Sequence, residues 1–177
     1  PHLATPVVHI AGTKGKGSTA AMVSQILVEA GHRVGLFTSP HLERFEERIR
    51  IDGVPIEPAE LVVHVDLLAQ VTAVIDAESG GLKPTFFELT TALGWLSFRK
   101  RGVDIAILEV GLGGRLDSTN ICRPEVCAIT SISRDHTHIL GSQLSQIATE
   151  KAGIVKEQIP VVIGELPLEA ETAIRKI

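Results

Sequence analysis

Short apolar runs return five times along this chain, and segments of helical period stand between them. The runs are PVVHIAG (6–12), RVGLFTS (33–39), VDIAILEVGLGG (103–114), EVCAITSIS (125–133) and PVVIGE (160–165). A run that stays apolar without alternating belongs to a strand buried on both faces. The intervening segments 18–31, 58–78, 85–102 and 142–153 read as helices, and LEAETAIRKI opens another that the chain's end truncates. Ser18 stands near the start of the first helix and Gly31 at its stop. Repeated strand–helix–strand order specifies an α/β fold: a mainly parallel sheet flanked by helices. RIRIDGVPI (48–56) alternates about Asp52-Gly53 and predicts a small hairpin. SGGLKP (79–84) reads as a loop.

The chain has 177 residues, 44% of them hydrophobic, which is enough for one core and one domain. Its formal net charge of −4 argues against a nucleic-acid partner, so any phosphate binding must be local. Cys122 and Cys127 lack the C-x-x-C spacing of a zinc or redox pair and read as free thiols of a reducing compartment. No leader opens the sequence, and no apolar run reaches the ~18 residues of a membrane span. The expectation is a cytoplasmic protein with no membrane partner. The chain begins at Pro1 and reads as part of something longer.

In a parallel sheet, ligands gather at the carboxyl ends of the strands. Here those ends are Gly12–Ser18, Thr38-Ser39-Pro40, Glu109 with Gly111–Gly114, and Ser133–His138. The first, GTKGKGS, leads from a strand into a helix. Backbone N–H groups in such a turn cradle phosphate, and a lysine there supplies positive charge to the β/γ-phosphates. The candidate ATP-binding residues are therefore Gly12, Thr13, Lys14, Gly15, Lys16, Gly17 and Ser18. The match to G-x-x-x-x-G-K-[ST] is incomplete: Ile10 holds the first glycine position, and Gly17 follows Lys16.

The same letters fit G-x-G-x-x-A through Gly15, Gly17 and Ala20, a dinucleotide pattern that wants an acid at the end of the second strand. Ser39 and Arg44 stand near that position instead, so an NADP-dependent oxidoreductase remains an alternative, as does a non-catalytic nucleotide-binding module. A triphosphate normally arrives with Mg²⁺, which takes oxygen ligands. With the hydroxyl displaced by Gly17, Ser39 and Glu109 become the candidates. A carboxylate that closes an apolar strand needs a cation nearby.

The segments GTKGKGS, GLFTSPHL, FFELTTA, ILEVGLGGRLDSTN, TSISRDHTHILG and EKAGIVK, in this order, closely resemble folylpolyglutamate and dihydrofolate synthases of the Mur ligase group. The resemblance runs over about residues 5 to 165. Lys14 departs from it, because many bacterial members carry Asn there.

The resemblance implies a P-loop NTPase-like Mur ligase central domain over residues 1–177. It also implies that a C-terminal, Rossmann-like glutamate-binding domain is missing. The implied activity is ATP-dependent addition of L-glutamate to folate, and to dihydropteroate in some members, through an acyl phosphate. Carried onto these positions, it makes Lys16, His136 and Lys151 catalytic. It gives Mg²⁺ two sites, held by Ser39, Glu109, His136 and a carbamylated Lys151. Phe86, Phe87 and Asp117 fall in the folate pocket, with Asp117 set to bond the pterin. The segment 39–50 matches an Ω-type loop near both substrates. His138 reads as a surface or core histidine and Asp135 as a partner that orients His136. His2, His9, His32 and His64 receive no role. The expected assembly is a monomer, and the fragment alone is expected to be inactive.

Overall fold

The computed structural model describes residues 2–79, 81 and 83–177. Seven strands form one sheet: β1 (Val7–Ala11), β2 (Val34–Phe37), β3 (Ile49–Ile51), β4 (Val54–Pro55), β5 (Ile105–Glu109), β6 (Val126–Ile129) and β7 (Val161–Ile163). They lie in the order β4-β3-β2-β5-β1-β6-β7. The five strands from β2 to β7 pair parallel, and the hairpin β3–β4 adds an antiparallel edge. Asp52 and Gly53 take positive φ at the hairpin tip, as a tight two-residue turn demands.

The strands are shorter than the apolar runs that encode them. The run 103–114 is strand only as far as Glu109, and 125–133 only as far as Ile129. Each strand then gives way to a polar or glycine-rich loop, and those loops form the site.

The helices are α1 (Lys16–Glu29), α2 (Pro58–Ser79), α3 (Phe86–Arg101), α4 (Thr137–Leu140), α5 (Leu144–Ala152) and α6 (Leu168–Ile174). Strand alternation sorts the core. Ile10, Val34, Leu36 and Ile107 face α1 and pack on Ala20, Val23 and Leu27. Val7, Phe37, Ala106 and Leu108 face the other way, onto Leu93, Trp95 and Phe98 of α3. At the β6–β7 end that same face is covered by α5 and α6, through Ile147, Ala148, Ala170 and Ile174. The helix α3 starts at a reciprocal cap. Thr85 Oγ1 accepts from the Glu88 amide, and Glu88 accepts from the Thr85 amide. It stops at Gly102, which is left-handed.

Two sequence expectations change. The first helix begins at Lys16, two residues before Ser18, because Gly15 in the left-handed conformation already ends the turn. The second concerns α2. Although no uninterrupted apolar run approaches a membrane span, Pro58–Glu78 is long and apolar enough to cross one by length and composition alone. Its first turn nevertheless buries Glu60, which Arg101 of α3 binds through both Nε and Nη2, with His64 Nε2 at 3.5 Å. That ion pair ties the helix to the domain. The loop expected at 79–84 lies partly outside the described residues.

Burial pushes the Glu60 carboxyl up, but the Arg101 hydrogen bonds and charge outweigh it and hold the group below the usual carboxylate range. A depressed acid stabilises the fold above its unfolded pKa and loses that contribution as pH falls through the folded one. We expect Arg101→Gln to destabilise the chain at neutral pH, because it leaves the buried Glu60 carboxylate without its cation. Urea titrations at falling pH should show the deficit shrinking as Glu60 protonates.

Candidate active site

The glycine loop joins β1 to α1 along the ends of three parallel strands. Gly12 adopts a φ of 146°, and a Cβ there would collide with Thr130 Oγ1. The loop is clasped by residues 130–133, just past β6. Thr13 N donates to Ser131 O at 2.8 Å, Lys14 N to Ser131 Oγ at 2.9 Å, and Thr130 Oγ1 to Lys14 O at 2.7 Å. Thr13 Oγ1 accepts from Ser133 N at 3.0 Å. The expected ATP-binding loop is thus fixed by polar contacts at Thr13 and Lys14, and Lys14 serves through its backbone rather than its side chain. Sequence reasoning missed Thr130 and Ser131, because TSIS reads as more strand.

Glu109 ends β5, next to β1, and is almost wholly buried. Ser39 N donates to its Oε2 at 3.1 Å. A Cβ on Gly17 would stand 3.4 Å from that same oxygen. The glycine that spoils the standard phosphate-loop pattern therefore makes room for a carboxylate against the first turn of α1. Burial raises the Glu109 pKa, opposed by the Ser39 amide and by the charge of Lys16. A buried carboxylate with one hydrogen bond is short of partners and fits a hard divalent cation.

Lys151, on α5, is also buried and donates from Nζ to Gly12 O at 2.9 Å. Burial pulls its pKa down to about 8, helped by Lys16 and opposed by Asp135. His136 sits at the start of α4, exposed and left-handed at φ 49°. Its amide donates to Asp135 Oδ1 at 2.9 Å, and its Nε2 stands 3.7 Å from the same oxygen. The hydrogen bond that Asp135 accepts thus comes from the His136 backbone rather than from its ring. The structure brings Ser39 and Glu109 into contact, and Lys151 onto the glycine loop. Among the described residues, no three His, Cys, Asp or Glu side chains form a ready metal cluster.

A cavity of about 410 Å³ opens beside this centre, lined by Phe87, Leu112, Arg115, Asp117, Ile139 and Glu150 among others. Its floor is organised by Asp117. The two carboxylate oxygens accept four hydrogen bonds, from the amides of Gly111, Leu112 and Thr119 and from the Thr119 hydroxyl. Thr119 Oγ1 meets His9 Nε2 at 2.9 Å in the core. Burial, with the nearby Lys156 charge, lowers the His9 pKa to about 3, so the ring stays neutral. His9, given no role from the sequence, is thereby the anchor of a buried polar chain ending at the cavity. Cys122 and Cys127, beside it, are free and buried, and burial raises both thiols, to about 12 and about 11.

Phe86 stands apart from Phe87 and Asp117. It is largely exposed and lines a neighbouring apolar cavity of about 430 Å³ between α2 and α3, together with Phe45. The cavity walls from α4, notably Ile139, had no sequence signal, because four residues carry no readable helical period.

Residues 63–167 match the Mur ligase middle domain, and the chain belongs to that family. It is 46% identical to the dihydrofolate synthase/folylpolyglutamate synthase of Bacillus subtilis, an alignment covering 94% of this chain and 39% of that protein. It is 43% identical to the folylpolyglutamate synthase of Lacticaseibacillus casei, over 94% of this chain and 39% of the relative. Among solved structures, an FPGS–AMPPCP–folate complex superposes with a TM-score of 0.97 at 41% identity, covering 99% of this chain and 43% of that one. The ADP complex of the Mycobacterium tuberculosis enzyme gives 0.93 at 40% identity, over 99% and 40%. The chain spans about two-fifths of the length of these relatives. Membership of the Mur ligase family replaces the dinucleotide reading of Gly15, Gly17 and Ala20.

Two substitutions test this arrangement. Glu109→Gln removes a carboxylate whose charged form is disfavoured by burial. In metal-free protein it should raise the melting temperature at neutral pH by roughly 2–4 °C, the shift that about 1 kcal/mol produces in a domain of this size. The sign comes from linkage: an acid with a raised folded pKa begins to destabilise the fold above its unfolded pKa and does so fully above the folded one, so the gain should fade toward acid pH. Thr119→Val breaks the chain between His9 and Asp117, and should cost about 1–3 kcal/mol in a denaturant titration because it leaves buried partners unpaired.

Proposed function

We propose that the protein to which this chain belongs is an ATP-dependent amide ligase. It adds L-glutamate to folate, and in one variant of the activity to dihydropteroate, by way of an acyl phosphate. The observation that carries this reading is Glu109. It is a buried carboxylate, short of hydrogen-bond partners, set against the helix that the glycine loop feeds, at the end of the strand beside it.

In this reading the amides of Gly12–Ser18 cradle the triphosphate and Lys16 balances the charge of the β/γ-phosphates. Ser39 and Glu109 hold one Mg²⁺, and His136 with a carbamylated Lys151 holds a second. The metal ions disperse the negative charge that accumulates between ATP and a carboxylate. Asp117 keeps the 111–118 loop in shape, so that Phe87 and the loop backbone can grip the acceptor beside the phosphates. The γ-phosphoryl passes to the acceptor's carboxylate, ADP leaves, and the amine of glutamate displaces phosphate from the acyl carbon. An acyl phosphate hydrolyses unless water is excluded, which assigns closure and most of the glutamate site to a second domain. The working form is proposed as a cytoplasmic monomer.

Carbamylation is supported by the setting of Lys151. Carbon dioxide adds to the free amine, and an amine enclosed in a low-polarity site loses its proton readily. The product keeps one N–H for Gly12 O and presents two oxygens outward. In the full-length protein supplied with ¹³CO₂, a carbamate carbon resonance should grow as pH rises through about 8, and Lys151→Met should abolish it. A lysine with a lowered folded pKa penalises the fold once it is charged, so metal-free protein should lose stability as pH falls from the ordinary lysine range toward about 8 and level off below it.

The deciding assay is ADP release by the full-length protein with Mg-ATP, glutamate and either pteroylglutamate or dihydropteroate. Glu109→Gln should lower kcat by at least about 100-fold. Release that ignores the acceptor, or survives the substitution, would defeat the reading.

A further inference from the structure

The first amides of a helix can donate only to something outside it. At the start of α1, the amides of Gly15, Lys16, Gly17 and Ser18 donate to no acceptor among the described residues. The two amides before them are already used. Thr13 N donates to Ser131 O, and Lys14 N to Ser131 Oγ. Within Gly12–Ser18, the part open to an anion is therefore its second half.

The openness of Ser18 is unusual. Its N–H stands four residues beyond the Lys14 carbonyl, the spacing at which an α-helix makes its bond. That bond is not made, whereas the next one along, from Thr19 N to Gly15 O, is present at 2.9 Å. Lys14 O is held elsewhere. It accepts from the Thr130 hydroxyl at 2.7 Å and from the Ser131 hydroxyl at 3.0 Å. A carbonyl oxygen has two lone pairs, and here both are taken.

The same capture orients the neighbouring amide. The Lys14–Gly15 peptide is planar and trans, so an oxygen drawn toward residues 130–131 turns the Gly15 N–H to the opposite side. Two more carbonyls are drawn off by donors from outside the loop. Thr130 Oγ1 has Ala11 O as a second acceptor at 3.3 Å, and Lys151 Nζ donates to Gly12 O at 2.9 Å.

We propose that the hydroxyls of Thr130 and Ser131 are positioning groups for phosphate binding. They hold the Lys14 carbonyl off α1 and so keep the Gly15 and Ser18 amides open to a nucleoside di- or triphosphate. Neither hydroxyl touches the phosphates. Without them the Lys14 carbonyl turns onto the Ser18 amide, α1 begins one residue earlier, and the anion loses a donor. This rests on the nucleotide-binding half of the ligase reading.

The test uses the full-length protein with Thr130→Val, Ser131→Ala, both together, and Thr130→Ser, which keeps the hydroxyl. The first readout needs no turnover: hydrogen exchange of the Ser18 amide, followed by NMR. In nucleotide-free wild type this amide should exchange fast, and Mg-ADP should protect it. In the double variant it should be protected before any nucleotide is added. By calorimetry the double variant should bind Mg-ADP about 10-fold more weakly, the effect of one lost charge-assisted bond, and Thr130→Ser should match wild type. KM for ATP should rise by the same factor with kcat nearly unchanged, since the lost contact serves ground and transition states alike. KM for pteroylglutamate should not move. If the double variant does not fold, the single variants decide, each showing part of both shifts. A role in stability alone would lower the melting temperature and leave Ser18 exchange as in wild type, which overturns the inference. Undiminished Mg-ADP affinity overturns it as well, and so does a loss in Thr130→Ser equal to that in Thr130→Val. Wild type that fails to bind Mg-ADP overturns the nucleotide reading and this inference together. Binding without glutamate-dependent ADP release defeats the ligase reading and leaves this inference standing on the exchange and affinity data.

Discussion

The contact between Glu109 and the loop-and-helix unit beyond β1 is the constraint around which the site is arranged. A charged group at the end of β5, in the middle of a sheet, is expensive unless something answers it. Three parts of the chain do so in part: the Ser39 amide from the end of β2, the charge of Lys16, and the space left by Gly17. Those three lie on neighbouring segments only because β1, β2 and β5 are parallel and in register, with Ile10 opposite Glu109 and Phe37 opposite Leu108. Antiparallel pairing would send the strand ends to opposite edges of the sheet. The topology is therefore a condition of the chemistry.

Much of this was legible in the sequence for a physical reason. Strands buried on both faces must be apolar throughout, so Val7–Ala11 and Ile105–Glu109 announce themselves, and a lone Glu at the end of such a run stands out. The Thr85–Glu88 cap and Gly102 similarly bracket α3 by local chemistry alone. What escaped was set by contacts distant in the chain. Residues 130–133 look like more strand because their hydroxyls reveal nothing until the glycine loop, more than a hundred positions earlier, lies against them. His9 looks like an anomaly in a strand until Thr119 is beside it. Phe86 and Phe87 are adjacent in sequence yet diverge into different cavities, since successive residues of a helix point about 100° apart.

The loops share a mode of construction that accounts for their sharp definition without regular structure. In two of them, one side chain collects several backbone donors. Glu47 takes the amides of residues 42–44, and Asp117 those of 111, 112 and 119. Glu88 secures the entry to α3 by accepting from the amide and the hydroxyl of Thr85. A carboxylate that accepts several N–H groups holds its loop in one shape, and each lost amide partner would be costly to leave dry.

That economy also sorts the acids by what remains available to a ligand. Asp117 and Glu47 are saturated by backbone, Glu150 is held by the Arg115 guanidinium, and Asp135 bonds the amide of His136. Of the acids at the strand ends, Glu109 keeps the most unused acceptor capacity, and it is also the most deeply placed. On the ligase reading, a cation arriving with a triphosphate would therefore find one strong oxygen donor ready and would draw the other, Ser39, from a hydroxyl. Such a site is weak by itself and becomes strong only when phosphate oxygens complete the coordination. On that reading metal and nucleotide binding would be coupled through Glu109: each would supply the charge that the other lacks.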